Sequence, residues 1–122
     1  MATQHADLTP AEWERFDRDQ QLLSIGVEMN RARKNLLARQ SASLIGSYER
    51  ILNLTDLTIQ VQTARPLRRE LLLWRDLVAA LYVTPERSLR DHDDAFRALL
   101  TLIPAAYAQL AELLPGRTAS SD

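Results

Sequence analysis

Apolar residues recur at helical spacing along most of the chain. Leu89, Phe96, Leu99, Leu100, Ile103, Tyr107, Leu110 and Leu114 fall on one side of a helix, the stripe of a helix that lies on a core. Leu67, Leu71, Trp74, Leu77, Val78 and Leu81 form a second such face, with Leu72 and Ala79 stranded in the charged side of the same helix. With only 3 Gly and 5 Pro, turn residues are too few for an all-β fold. The pattern predicts an all-α protein.

Prolines and caps divide the pattern. Thr9-Pro10-Ala11-Glu12 has the form of a capping box with proline in the first turn, so a helix is expected to start there. Ala64-Arg65-Pro66 ends one helix and opens another, and Thr84-Pro85-Glu86 repeats the hydroxyl-then-proline start. Pro115-Gly116 stops the last helix, and Pro104 is expected to kink it. The expectation is one domain over 1–122 with four helices at about 10–39, 41–63, 66–83 and 85–114, and disordered tails at 1–8 and 116–122. Short connections favour neighbours that run in opposite directions, hence an up-down-up-down bundle. The boundary at 40–43 is open: an unbroken helix from 10 to 63 would be roughly 80 Å long. Either the chain turns near Ser41–Ser43 or a long helix is shared between two copies.

In such a bundle the basic run Arg31, Arg33, Lys34 and Arg39 faces Asp91, Asp93 and Asp94, while Glu12, Glu14, Asp17 and Asp19 lie near Arg65, Arg68 and Arg69. Charge neutralisation between helices therefore accounts for the basic run without nucleic acid. The second helix is polar on one narrow stripe, Glu49, Asn53, Asp56 and Gln60, and apolar around most of the rest. The first carries two stripes, Trp13, Phe16, Leu23 and Val27 on one side and Leu22, Ile25, Met29, Ala32 and Leu36 on the other. Two stripes imply two partners, or a kink near Gly26. The reading favoured is a homodimer, with Leu22, Ile25, Met29, Leu36, Leu54 and Leu57 at the interface and Leu72 as a competing anchor.

Composition narrows function by exclusion. A net charge of −1 removes the electrostatic warrant for nucleic acid or an anionic membrane. The absence of cysteine excludes disulfides, thiolate metal sites and cysteine nucleophiles. The longest apolar run, 71–83, is too short to cross a bilayer, and the N-terminus has no leader pattern, so the expected location is cytoplasmic. No phosphate loop, G-x-S-x-G elbow, H-E-x-x-H or Glu-x-x-His motif occurs, and neither a metal nor another cofactor is expected.

One constellation could bind a small molecule. His92 stands on the apolar stripe of the fourth helix, and Asn30 and Lys34 continue the inner face of the first. With Tyr48 and Tyr82 they are expected to meet at one end of the bundle, where a histidine could titrate near neutral pH beside an anion. The competing reading is a wet bundle end whose polar groups satisfy one another. The sequence thus favours a non-catalytic interaction protein that binds another protein through apolar helix faces. A sensor of small molecules or anions, or a minor enzyme, at the His92 end is the alternative.

Overall fold

The computed structural model describes residues 8–104. These are all-helical, with no strand among them: α1 (Pro10–Trp13), α2 (Arg18–Leu37), α3 (Ser41–Val61), α4 (Arg65–Val83) and α5 (Leu89–Leu100). Helix α2 packs on α3 and α5, α3 also on α4, α4 on α5, and α1 against α3. The core includes Leu22, Ile25, Met29, Tyr48, Ile51, Leu54, Leu71, Trp74, Phe96 and Leu99.

The first expected helix is two. The Thr9 box forms as anticipated, its side chain accepting from Glu12 N–H while Glu12 reaches back to Thr9 N–H, but α1 ends after one turn. A second box then starts α2: Asp17 accepts from Gln20 N–H at 2.8 Å, and the Gln20 side chain accepts from Asp17 N–H at 2.9 Å. The corner between them is held by buried Gln21, which donates to the carbonyls of Trp13 and Phe16. The kink near Gly26, the alternative to two partners, does not form: the chain bends at 14–17, and α2 runs unbroken through Gly26.

The open boundary resolves into a turn at Ala38–Gln40. Gln40 N–H donates to Asn35 O at 2.9 Å and Arg39 N–H to Leu36 O at 3.2 Å, the paired bonds of a Schellman motif. Its left-handed position is occupied by Arg39, with φ 57°, where glycine is the usual residue.

The fourth expected helix starts later than 85, and α5 ends at Leu100; residues 105–114 of the expected range lie outside the described residues. Arg87 reaches back to the last carbonyls of α4, donating to Leu81 O and Tyr82 O at 2.6 Å each, so the segment around Pro85 caps α4 instead of beginning α5. The N-cap is Ser88, which accepts from Asp91 N–H at 3.0 Å. Pro104 has no N–H for the Leu100 carbonyl and its ring crowds that oxygen. Ile103 N–H takes that carbonyl instead, at 3.0 Å in a tighter turn, so α5 ends at Leu100 and 101–103 interrupt the helix, with helical backbone again at Pro104. Of the expected tails at 1–8 and 116–122, Leu8 packs partly buried against the core, while residues 1–7 and 116–122, like Tyr107, Leu110 and Leu114, lie outside the described residues.

Only one of the two apolar stripes of the first helix is covered along its length: α2 packs on α3 and α5, whereas Phe16 and Val27 of the other stripe stand 45% and 51% exposed. Leu22, Ile25 and Met29 are fully buried, as is Leu54 on α3, and Leu36 and Leu57 pack partly buried against the core. In this conformation none of the four buried residues presents a surface to a second copy. The polar stripe of α3, Glu49, Asn53, Asp56 and Gln60, is exposed as expected, and α1, α2 and α4 cover the remainder. The large apolar residues left in water include three on α4: Leu72 at 48% exposure, Leu73 at 58% and Leu77 at 50%. Leu77 was expected inside; Leu72 stands outside, as its place among charged residues implies.

Candidate functional site

Of the five polar residues expected to converge, the structure joins two. Tyr48 and His92 are both fully buried, and the Tyr48 hydroxyl lies 2.8 Å from His92 Nδ1. His92 Nε2 lies 2.9 Å from the carbonyl of Met29. A carbonyl only accepts, so Nε2 carries the proton and Nδ1 accepts from the Tyr48 O–H. One side chain from α5 thereby ties α2 to α3. Phe96, one turn on, packs edge-on against the imidazole.

The charges around the pair come from three elements. Arg33 on α2 forks onto Asp93, with Nε at 2.9 Å and Nη2 at 3.2 Å, both side chains nearly buried. Arg87 lies over the Tyr48 ring at 5.5 Å from its centroid, within range of a cation–π contact. Burial lowers the His92 pKa below its ordinary value, against the opposing pull of the Met29 carbonyl and Asp93. Burial likewise pushes Tyr48 up to about 12, with Arg87 pulling the other way. Both groups are held neutral, the Tyr48 hydroxyl donating to Nδ1 and the imidazole Nε2–H donating to Met29 O.

The other three expected members stand apart. Tyr82 turns to the surface and donates to Glu49 at 2.8 Å. Lys34 is exposed and Asn30 is partly buried; neither adjoins the imidazole through a hydrogen bond. Arg33, not Lys34, is the cation from α2 that faces α5. Of the expected helix-to-helix charge pairs Arg33–Asp93 forms, whereas Arg31 joins Glu28 at 2.9 Å within its own helix. Asp17 serves as a cap.

Sequence reasoning missed a second buried polar group. Glu28 is 1% exposed and receives Arg31 at 2.9 Å and Arg50 of α3 at 3.1 Å. Arg50 also donates to buried Ser47, which accepts from Asn35 as well. Glu28 sits one position from Met29 on the α3-facing side, but its sequence neighbours give no sign of burial.

The open surface lies elsewhere. A groove of about 310 Å³ runs between α4 and α5 and is lined by Glu70, Leu73, Trp74, Leu77, Ala98, Thr101 and Leu102. Two further hollows continue it: one of about 500 Å³ beside Arg65, Arg69 and Leu102, another of about 350 Å³ beside Leu77, Asp91 and Asp94. Trp74 forms its floor, 3% exposed, with its indole N–H on Ala95 O at 2.7 Å.

Among the described residues, no group of three or more His, Asp or Glu is placed to hold a metal ion, and no helix is long and apolar enough to cross a membrane. No protein-family model matches the chain, and no curated protein or solved structure matches it at a significant level.

Proposed function

We propose that this chain is a non-catalytic, cytoplasmic helical-bundle protein that binds another protein through the outer face of α4, as an adaptor, small regulator or chaperone-like module does. The four long helices would run up-down-up-down. Cross-helix pairs support that topology: Asn35 with Ser47 and Glu28 with Arg50 join α2 to α3, and Asp56 with Arg75 and Glu49 with Tyr82 join α3 to α4. In both hairpins, later residues of one helix meet earlier residues of the next.

The observation that carries the reading is the leucine face of α4. Leu72, Leu73 and Leu77 are each about half exposed, beside a groove floored by Trp74. Covering the exposed halves of three leucines is worth roughly 3 kcal/mol, at 1.5–3 kcal/mol for full burial of each. Apolar faces of this kind are what a partner helix covers. The Tyr48–His92 pair offers no comparable opening. Both side chains are wholly buried and spend their polar atoms on each other and on Met29.

The test is the size of the protein in extracts of its own cells. Wild type should elute in a species larger than the free chain, Leu73→Glu at the size of the free chain, and Tyr48→Phe like the wild type. Identical elution of all three would contradict the reading.

A further inference from the structure

The outer face of α4 and α5 carries its charge in two blocks. Arg65, Arg68 and Arg69 stand exposed at the start of α4, the first and last of them lining a hollow with Glu70 and Leu102. Asp76, Asp91 and Asp94 stand exposed toward the other end, the last two lining the hollow beside Leu77 and Ala80. Leu72, Leu73 and Leu77 lie between the blocks. Of the other charges nearby, exposed Glu70 stands among the arginines of the basic end, Arg75 forks onto Asp56 of α3, and Arg97 lies 3.5 Å from Asp94, one turn away on the same helix.

An apolar strip with a basic block at one end and an acidic block at the other is complementary to itself when turned end for end. Isologous two-fold pairing turns it in just that way. If the axis passes between Leu72 and Leu73, residues equally far from it on either side face each other. Arg69 then meets Asp76 of the partner subunit, and the contact occurs twice. Leu72 meets Leu73 of the partner subunit at the centre. Arg65 and Arg68 extend past Asp76 toward the end of the strip where Asp91 and Asp94 stand. A parallel arrangement would set like blocks against each other.

We infer that the occupant of this face is a second copy of the chain, docked through α4 in the opposite direction, with leucines at the centre and Arg–Asp contacts at both ends. The inference rests on the reading of α4 as a binding surface and names its partner.

Charge reversal tests it on the purified full chain by sedimentation. One variant carries Arg65→Glu, Arg68→Glu and Arg69→Glu, and the other Asp76→Arg and Asp94→Arg. Circular dichroism checks that each keeps its helix content. Wild type should sediment at twice the 13.9 kDa chain mass, and Leu73→Glu at the single-chain mass. Each reversal variant alone should lose the dimer, because its two blocks then carry one sign. An equal mixture of the two variants should restore the doubled mass, and added salt should weaken it.

A wild type that is monomeric at the highest attainable concentration overturns the inference, as does a mixture that stays monomeric. A dimer indifferent to both reversals and to Leu73→Glu places the contact elsewhere and overturns it too. A monomeric wild type whose larger species in cell extracts still depends on Leu73 would sink the second copy alone. The α4 binding surface falls only if that species is absent or indifferent to Leu73.

Discussion

Replacing Tyr48 by Phe removes one hydroxyl and little else. The ring keeps its place in the core and under Arg87, 5.5 Å from the ring centroid, so the cation–π contact survives. What is lost is the 2.8 Å bond to His92 Nδ1, and that nitrogen, on a fully buried side chain, is shut off from bulk solvent. A buried acceptor left without a donor costs about 1–3 kcal/mol, and Tyr48→Phe is expected in that range. His92→Leu orphans the opposite atom, the Tyr48 hydroxyl, at a similar cost that the added apolar burial partly offsets. The Met29 carbonyl loses less, because it stands inside α2 and keeps its place in the helix ladder. The double variant removes both polar groups at once, so its cost should fall below the sum of the singles by about 1–2 kcal/mol, within the usual range for residues in contact. Urea unfolding at pH 8, followed by far-ultraviolet circular dichroism, measures all four corners of the cycle. Singles that each cost under about 0.5 kcal/mol and simply add would refute a coupled, buried pair.

Burial lowers the His92 pKa in the fold, so the unfolded chain binds its proton first. Its contribution to stability is intact above about pH 6.5, the ordinary histidine value, and is lost as pH falls from there toward the lower value of the folded state. Wild type should therefore weaken more steeply than His92→Leu between pH 7 and 5; parallel unfolding curves would contradict this. Tyr48, raised to about 12, acts in the other direction: stability should decline above pH 10 in wild type and less so in Tyr48→Phe, by the same unfolding assay. Arg39→Gly should stabilise by roughly 0.5–1 kcal/mol, since it relieves a left-handed residue costing about 1–2 kcal/mol at some loss of chain entropy. A destabilised Arg39→Gly in urea unfolding would show that the arginine side chain contributes more than the strain. Trp74→Ala should cost about 3–5 kcal/mol, and a loss below about 1 kcal/mol would invert the faces assigned to α4.

Helix boundaries were legible where a proline or cap had no competitor. The ranges 41–63 and 66–83 differ from α3 and α4 by two residues or fewer at each end. They failed where two start signals lay within one helical length. Asp17-x-x-Gln20 was read as charged surface inside a longer helix, yet it forms the same reciprocal cap as Thr9-x-x-Glu12. Thr84-Pro85 competed with Ser88, and Ser88 won because Arg87 spends its guanidinium on the carbonyls that end α4.

Of the two stripes on the first helix, the one through Leu22, Ile25, Met29 and Ala32 is buried against α3 and α5 of the same chain, whereas Phe16 and Val27 of the other are about half exposed. Periodicity marks an apolar face but neither whether it is covered nor by which chain. The same limit applies to the polar end. That His92 stands on an apolar stripe was visible, and its packing against Tyr48 followed from a shared bundle end. The exclusion of Tyr82 was not visible, because a tyrosine near a helix end can turn either to the core or to a surface carboxylate such as Glu49.

The claim that α4 carries the protein's interaction is tested most directly by photo-crosslinking in its own cells. A photoreactive residue is placed at position 73, or at exposed Ser43 as a control. Position 73 should give one discrete adduct that disappears when Leu72 and Leu77 are both changed to Glu, while position 43 gives none. No adduct from position 73, or equal labelling from both positions, would contradict the claim.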